Sequence, residues 1–269
     1  MALIRIILLG LVLCPLLSPA AEEALTPEDR QTFADGLYER GHYRMAADEY
    51  RELLRAHPDW EHADAVLYRM AESLRNSGEA AAAEDGYARL VEHYPDSTYA
   101  ARARLRNLER LMEREEYDRA LEGLAVLEKQ SLPPELAGAV RYERAYALAR
   151  AGEPGRAVEL LRAFLQEYGE HPFVPYACLE LAGLLEERGN TSTADLLALY
   201  ERAVEAGEGS RTEAEALFQM AEYAFRCEAY QASAQSYGRL LARHGGDPRA
   251  REARLQAAWA FRHAGRCTD

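Results

Sequence analysis

β-branched residues are scarce in this chain, and Ala, Leu, Glu and Arg dominate it instead. Val, Ile and Thr favour strands, whereas the four abundant types are good helix formers or fit helices well. This composition argues against a sheet-rich fold and predicts an all-α protein. Because 48% of the residues are hydrophobic, there is enough apolar material for a long core.

The sequence also lacks the local patterns on which most catalytic and cofactor sites depend. None of the seven histidines forms a His-Glu-x-x-His pair, and no glycine-rich run could hold a phosphate. No nucleophile-elbow pattern is present. The many carboxylates are expected on exposed helix faces, as Glu–Arg pairs four residues apart. The sequence therefore predicts no catalytic residue, no metal site and no cofactor.

Positive charge is in the minority, since 45 acidic residues outnumber 32 basic ones and give a formal net charge of −13. Such a chain repels the phosphate backbone of nucleic acids. The charge therefore predicts that nucleic acid is not the partner. A protein or peptide partner is expected instead, and the negative charge would favour a basic one.

Long apolar runs are absent apart from one at the start of the chain. Arg5 precedes an apolar stretch over residues 6–17, and Ser18-Pro19-Ala20 supplies small residues at a cleavage position. This pattern is typical of a secretory signal peptide, predicted here as residues 1–20, and it is too short to span a bilayer. We expect an exported, periplasmic protein, in contact with the outer membrane at most peripherally. Lipidation at Cys14 is an alternative, which Leu13 disfavours because a small residue normally stands there.

The strongest pattern is a repeat of 37 residues. Gly41, Tyr50 and Pro58 recur 37 positions later as Gly78, Tyr87 and Pro95, and related residues follow at further intervals. Each interval predicts two antiparallel helices, and because one such hairpin cannot bury its own apolar face, successive hairpins must stack. The predicted repeats are residues 27–63, 64–100, 101–137, 138–174, 175–213 and 214–250. A terminal helix is predicted at 251–265, and the whole repeat domain at 21–269.

An alanine in the second helix lets the two helices of a pair approach closely. A small residue also recurs in the middle of each predicted first helix. The residues are Ala34, Ala71, Ala145, Ala182, Ala221 and Ala258, with Leu108 as the exception.

This spacing of small, aromatic and proline residues resembles the tetratricopeptide repeat. The turn Tyr94-Pro95-Asp96-Ser97, followed by Ala100, Ala101 and Ala103, is similar to turns in two bacterial envelope proteins of that family. These are the periplasmic repeat protein associated with the Tol-Pal system and the repeat lipoprotein of the β-barrel assembly machine. The resemblance implies a right-handed superhelical solenoid of about six repeats plus a terminal helix. It also implies a protein-binding scaffold.

In repeats of this family the first helices line a concave groove. Three positions in each first helix are expected to face it, counted from the small residue. Those of the fifth repeat are Leu179, Gly183 and Glu186. Aromatic rings beside charged groups suit a peptide ligand. The candidate partner-binding residues are Tyr38, Tyr68, Glu72, Arg75, Tyr142, Tyr146, Phe218, Glu222, Phe225 and Trp259.

Three cysteines follow the signal peptide. Cys227 and Cys267 fall near the ends of neighbouring first helices, so a disulfide between them is one expectation. Cys178 occupies a position that packs inward and is expected to be a buried thiol.

The function predicted from these observations is a non-catalytic scaffold of the cell envelope, used in its assembly or maintenance. Two alternatives stay open at this point. One is a structural protein that self-associates through an apolar face of its terminal helix, made of Leu255, Ala258 and Phe261. The other is the regulatory arm of an enzyme whose catalytic part is separate.

Overall fold

A computed structural model of the chain describes residues 25–265, so the predicted signal peptide lies outside the described residues. Within this range every regular element is an α-helix and no strand occurs. Six helix pairs and a terminal helix follow one another, which confirms the predicted all-α fold. The helices are α1 Pro27–Glu39, α2 Tyr43–Ala56, α3 Ala63–Asn76, α4 Ala80–His93, α5 Thr98–Glu113, α6 Tyr117–Leu127, α7 Pro134–Arg150, α8 Pro154–Glu167, α9 Val174–Arg188, α10 Thr193–Ala206, α11 Arg211–Arg226, α12 Tyr230–Arg243 and α13 Ala250–His263.

The described helices fall into two compact units, which divide within α4 between Gly86 and Tyr87. In the first unit α1 packs on α2 and α2 packs on α3. In the second unit each helix from α5 to α13 packs on the next along the chain. The first helices α5, α7, α9 and α11 of this unit also contact one another in turn, so they form a layer of their own.

The turn between the two helices of a pair depends on one residue in the left-handed conformation. Gly41, Gly78 and Gly152 take φ values of 79°, 88° and 83° at the repeating position. The next residue donates its N–H back into the first helix, as from Glu153 to the carbonyl of Leu148 at 2.9 Å. This is the hydrogen-bond pattern with which a helix commonly ends before a left-handed residue, and glycine adopts it without a steric penalty.

The fifth pair explains why the sequence period slips by two residues. Gly189 again has a positive φ of 66°. Here, however, α10 starts four residues later at Thr193, whereas α8 starts two residues after Gly152. The longer turn places Ser192 as the N-cap, and its hydroxyl accepts a hydrogen bond from the N–H of Asp195 at 3.1 Å.

Most of the recurring small residues of the first helices are buried, and Ala34, Ala71, Ala145, Ala182 and Ala221 are fully enclosed. Ala258 differs from them, because it lies on the exposed side of α13, together with Leu255. This helix packs on α12 and buries its other face, which consists of Ala253, Ala257 and Ala260.

Two local details also differ from expectation. Helices α5 and α11 begin three residues before the predicted starts of their repeats at 101 and 214, because Ser97 and Ser210 cap their N-termini. Several ion pairs within helices join residues three apart rather than four, as in Arg55 with Glu52 and Arg51 with Asp48.

Candidate partner-binding site

A pocket of about 320 Å³ opens on the layer of first helices in the second unit. It lies where α7, α9 and α11 meet, so it draws side chains from three consecutive repeats. We call it the first-helix pocket. The lining residues are Tyr142 and Arg150 of α7, Tyr176, Leu179, Glu180, Gly183, Leu184 and Glu187 of α9, and Gln219 of α11.

Helix α9 supplies most of this lining through one stripe along its length. Tyr176, Glu180, Gly183 and Glu187 are spaced by four, three and four residues, which places them on one helical face. Tyr176 is 46% exposed and therefore offers its ring to solvent. The stripe is roughly 16 Å long at the rise of an α-helix, which matches about five residues of an extended peptide.

The open space in the pocket comes from Gly183. A Cβ atom added at this residue would meet nothing within 4 Å. The corresponding position of the other first helices carries a larger side chain, such as Tyr146 in α7 and Glu222 in α11. The glycine therefore leaves a gap where neighbouring repeats have a side chain.

The electrostatic environment of the pocket is mainly negative. Arg150 donates from Nη2 to Oε1 of Glu180 at 2.8 Å, and its guanidinium lies 4.6 Å from the centre of the Tyr146 ring. Burial raises the pKa of the Tyr142 hydroxyl, and the negative charges of Glu143 and Glu180 raise it further. The single cation of the lining is thus already paired with a carboxylate.

Glu143 is a second carboxylate with an unusual environment close to this pocket. Burial raises its pKa to about 7, the charge of Glu109 adds to the effect, and Arg106 opposes it. Its charge consequently changes near neutral pH, beside Tyr142 on the same helix.

Of the residues predicted from the sequence, Tyr142 lines the pocket although only 8% of it is exposed. Tyr146 lies beside it, partly buried beneath Arg150. Tyr142 therefore belongs to the lining, whereas Tyr146 adjoins it only through Arg150 and also packs against the core near Leu105 and Met112.

Phe218 and Glu222 of α11 are engaged with their own repeat and its neighbour. The Phe218 ring stands edge-on to Tyr237 at 5.9 Å and lies under the guanidinium of Arg249 at 5.1 Å. Glu222 accepts a hydrogen bond from the Tyr237 hydroxyl at 2.5 Å. Both residues thus have clear roles in packing.

Phe225 and Trp259 are linked through His263 in an aromatic cluster at the end of the second unit. His263 stacks on Tyr230 at 4.8 Å and on Trp259 at 6.2 Å, and Phe225 contacts the same imidazole edge-on at 6.0 Å. Trp259 remains 46% exposed. This cluster lies outside the first-helix pocket.

The other four candidates belong to the first unit. Tyr38 contacts Tyr43 edge-on at 5.3 Å and lies under the guanidinium of Arg69 at 5.1 Å. Tyr68 and Glu72 are 8% and 5% exposed, so they contribute mainly to packing. Arg75 pairs with Glu72 at 3.0 Å on the same helix.

Four lining residues lie outside the three groove positions predicted for each first helix. They are Tyr176, Glu180, Glu187 and Gln219. The stripe of Tyr176, Glu180, Gly183 and Glu187 at helical spacing was the available signal.

The cysteine predictions have different outcomes. Cys178 is fully buried as expected, and burial raises the pKa of its thiol to about 11. Cys227 is exposed, whereas Cys267 lies outside the described residues, so a disulfide between them stays a prediction.

Residues 25–265 contain no group of three His, Cys, Asp or Glu side chains placed to hold a metal ion. In the same part of the chain, no helix combines the length and the apolar character that crossing a membrane requires.

Comparisons with known proteins agree with the repeat architecture. Residues 65–97 match the family model of the tetratricopeptide repeat. PilF of Pseudomonas aeruginosa superposes with a TM-score of 0.65 at 18% identity, covering 86% of this chain and 97% of its own. PilW, a type IV pilus biogenesis factor, gives a TM-score of 0.66 at 16% identity, covering 84% of this chain and 97% of its own. The C-terminal part of a tetratricopeptide repeat protein from Cytophaga hutchinsonii gives a TM-score of 0.56 at 16% identity, covering 87% of this chain and 89% of its own.

A comparison with curated protein sequences finds no significant match. The family match and the structural relatives together establish a tetratricopeptide-type fold. At 16–18% identity the pilus proteins support the fold alone. The narrower resemblance to the Tol-Pal and β-barrel assembly proteins stays a prediction.

Proposed function

We propose that this chain is an exported, non-catalytic scaffold that binds a protein or peptide partner at the first-helix pocket. Repeat folds of this type serve as extended binding surfaces, which gives the general role. The observation that carries the specific proposal is the gap at Gly183, bordered by the exposed ring of Tyr176 and lined from three repeats.

The proposed compartment is the periplasm, and the proposed process is assembly or maintenance of the cell envelope. The signal-like pattern of residues 1–20 supports export. Fractionation of cells, with N-terminal sequencing of the mature protein, tests it. A protein that retains Met1 in the cytoplasm would refute this part of the proposal.

The binding surface is tested by placing a photo-crosslinking amino acid at Tyr176 in living cells. The matched control has the same amino acid at Glu159, an exposed residue on the second helix α8. We expect a defined partner to be captured from Tyr176 and not from Glu159. Equal capture from both positions, or from neither, would count against the pocket as the binding site.

Tyr146 provides a second test, because its ring adjoins the pocket under Arg150. Changing an aromatic anchor to alanine typically costs about 2 kcal/mol or more in binding free energy. Tyr146→Ala is therefore expected to weaken the partner captured at Tyr176, whereas Trp259→Ala, outside the pocket, is expected to weaken it less.

Self-association through α13 is a second candidate function, favoured by the exposure of Leu255 and Trp259 at 61% and 46%. Phe261, which the sequence placed on this face, instead packs against the core of the second unit. Analytical ultracentrifugation of wild type and Trp259→Arg tests the idea. A concentration-dependent dimer that the substitution removes would support it, and a monomer at all concentrations would refute it.

A further inference from the structure

We propose that the gap beside Gly183 receives an arginine or lysine side chain of the partner, with its charged end on Glu187. This inference rests on the proposed function, since it names the chemistry recognised in the same pocket.

A Cβ at position 183 would meet no neighbour, so close packing does not account for this glycine. At two other helical glycines close packing does: a Cβ on Gly86 would lie 2.9 Å from that of Ala71, and one on Gly138 would lie 2.8 Å from His171. Gly238 of α12 resembles Gly183 in meeting nothing within 4 Å. Gly183 meets nothing and has an ordinary helical φ. Glycine in a helix interior lowers stability relative to alanine, and at Gly183 the open space lies within the lining of the first-helix pocket.

The lining of the gap suits a long basic side chain. The Tyr142 and Tyr176 rings and Leu179 can cover an aliphatic stem, as the stems of Lys and Arg commonly lie along apolar surface. Glu187 lies one helical turn beyond Gly183, is exposed, and forms no ion pair within the described part of the chain. By contrast, Glu180 is already paired with Arg150.

At two places on the protein, a tyrosine ring and a carboxylate together hold a guanidinium. Arg150 lies over a tyrosine ring while it pairs with a glutamate. Arg226 lies 5.9 Å from the centre of the Tyr223 ring and also pairs with Glu186. Combined cation–π and carboxylate contacts therefore recur on this protein, and the lining of the pocket contains tyrosine rings and carboxylates as well.

The test uses four pools of fluorescent nonapeptides, in which the central residue is Arg, Lys, Leu or Glu and the other positions are mixed. Binding to the mature protein is measured by fluorescence anisotropy at low and moderate salt. We expect the Arg and Lys pools to bind about fivefold more tightly than the Leu and Glu pools, as charge-assisted contacts allow.

Three variants locate the preference. Gly183→Met fills the gap and Glu187→Gln removes the charge, so each should reduce the Arg-to-Leu ratio to about twofold or less. Glu159→Gln removes a charge from the second helix α8, outside the pocket, so it should retain the ratio. Circular dichroism confirms that each variant is folded.

The possible outcomes separate the inference from the proposed function. If all four pools bind equally and Gly183→Met abolishes binding, the pocket binds peptides but the basic side chain is wrong. A basic preference that survives both Gly183→Met and Glu187→Gln would assign it to the overall negative charge and overturn the inference. Binding by no pool would overturn it as well, and no crosslinking at Tyr176 would refute the proposed function itself.

Discussion

Leu108 of α5 and Gly123 of α6 occupy complementary positions in the third helix pair. A Cβ atom on Gly123 would lie 2.3 Å from Cδ2 of Leu108, far inside contact distance. Leu108 is the one large residue at a position where other first helices carry alanine. The absence of a side chain at Gly123 compensates for that exception, and the two helices can still pack.

This relationship predicts a strong coupling between the two positions. In a Leu108→Ala background, Gly123→Ala should raise the free energy of unfolding by about 0.5–1 kcal/mol, because alanine favours a helix. In wild type the clash, of about 1–3 kcal/mol, should remove or reverse that gain. Chemical denaturation of the four proteins gives the coupling energy, and a value near zero would show that Leu108 moves aside freely.

Glu115 and Glu228 stand in the left-handed turn position that glycine occupies in the other helix pairs, each with a φ of 60°. This conformation costs an L-residue roughly 1 kcal/mol or more. Glu115→Gly and Glu228→Gly should therefore each stabilise the protein by up to about 1 kcal/mol. Thermal or chemical unfolding measures the change. Gly152→Ala serves as the reverse control, and stabilisation by that variant would contradict the argument.

Glu143 predicts a pH-dependent stability. Its pKa is raised from 4.5 to about 7, chiefly by burial and then by the charge of Glu109. The folded state therefore holds a proton that the unfolded state has lost, so stability falls as the pH rises from 4.5 to 7. Above pH 7 both states are ionised and the loss is complete.

The corresponding experiment compares Glu143→Gln with wild type from pH 4.5 to 8. The variant stays neutral, so its stability relative to wild type should increase by about 1–2 kcal/mol as the pH rises. Denaturation midpoints at each pH provide the measurement. Glu159→Gln, at an exposed position, should show no such trend. A constant difference across the range would rule out titration of Glu143.

The hydrogen bond between Tyr237 and Glu222 is expected to contribute to stability but not to partner binding. Tyr237 is fully buried, and its hydroxyl is 2.5 Å from the carboxylate of Glu222. Tyr237→Phe and Glu222→Gln should each destabilise the protein by about 1–2 kcal/mol. Neither should change the preference for basic peptides, in contrast to Glu187→Gln. A loss of that preference in Glu222→Gln would return Glu222 to the binding surface, where the sequence had placed it.

Much of the fold could be predicted from the sequence, because the repeat is a local pattern. The turn position of Gly41, Gly78 and Gly152 and the buried Ala34 and Ala145 follow from spacing alone. Spacing did not place Phe261 correctly, because in α13 the buried face is the one turned toward α12, and Phe261 packs against the core instead of joining the exposed Leu255 and Ala258.

The candidate site was less predictable, because a binding surface depends on which side chains remain unused after packing. Glu222 and Phe218 matched the expected type and position, yet Tyr237 and Arg249 contact them. Gly183 did lie at an expected groove position, but its spacing does not indicate that it leaves a gap.

The sequence by itself determined the helix pairs, their number and their turns, because these depend on helix propensity, on left-handed turn residues and on small residues at a fixed interval. Only the tertiary structure decided which carboxylates and rings are available to a partner. That choice depends on contacts between helices far apart in sequence, such as those that bring Tyr142, Gly183 and Gln219 to one pocket.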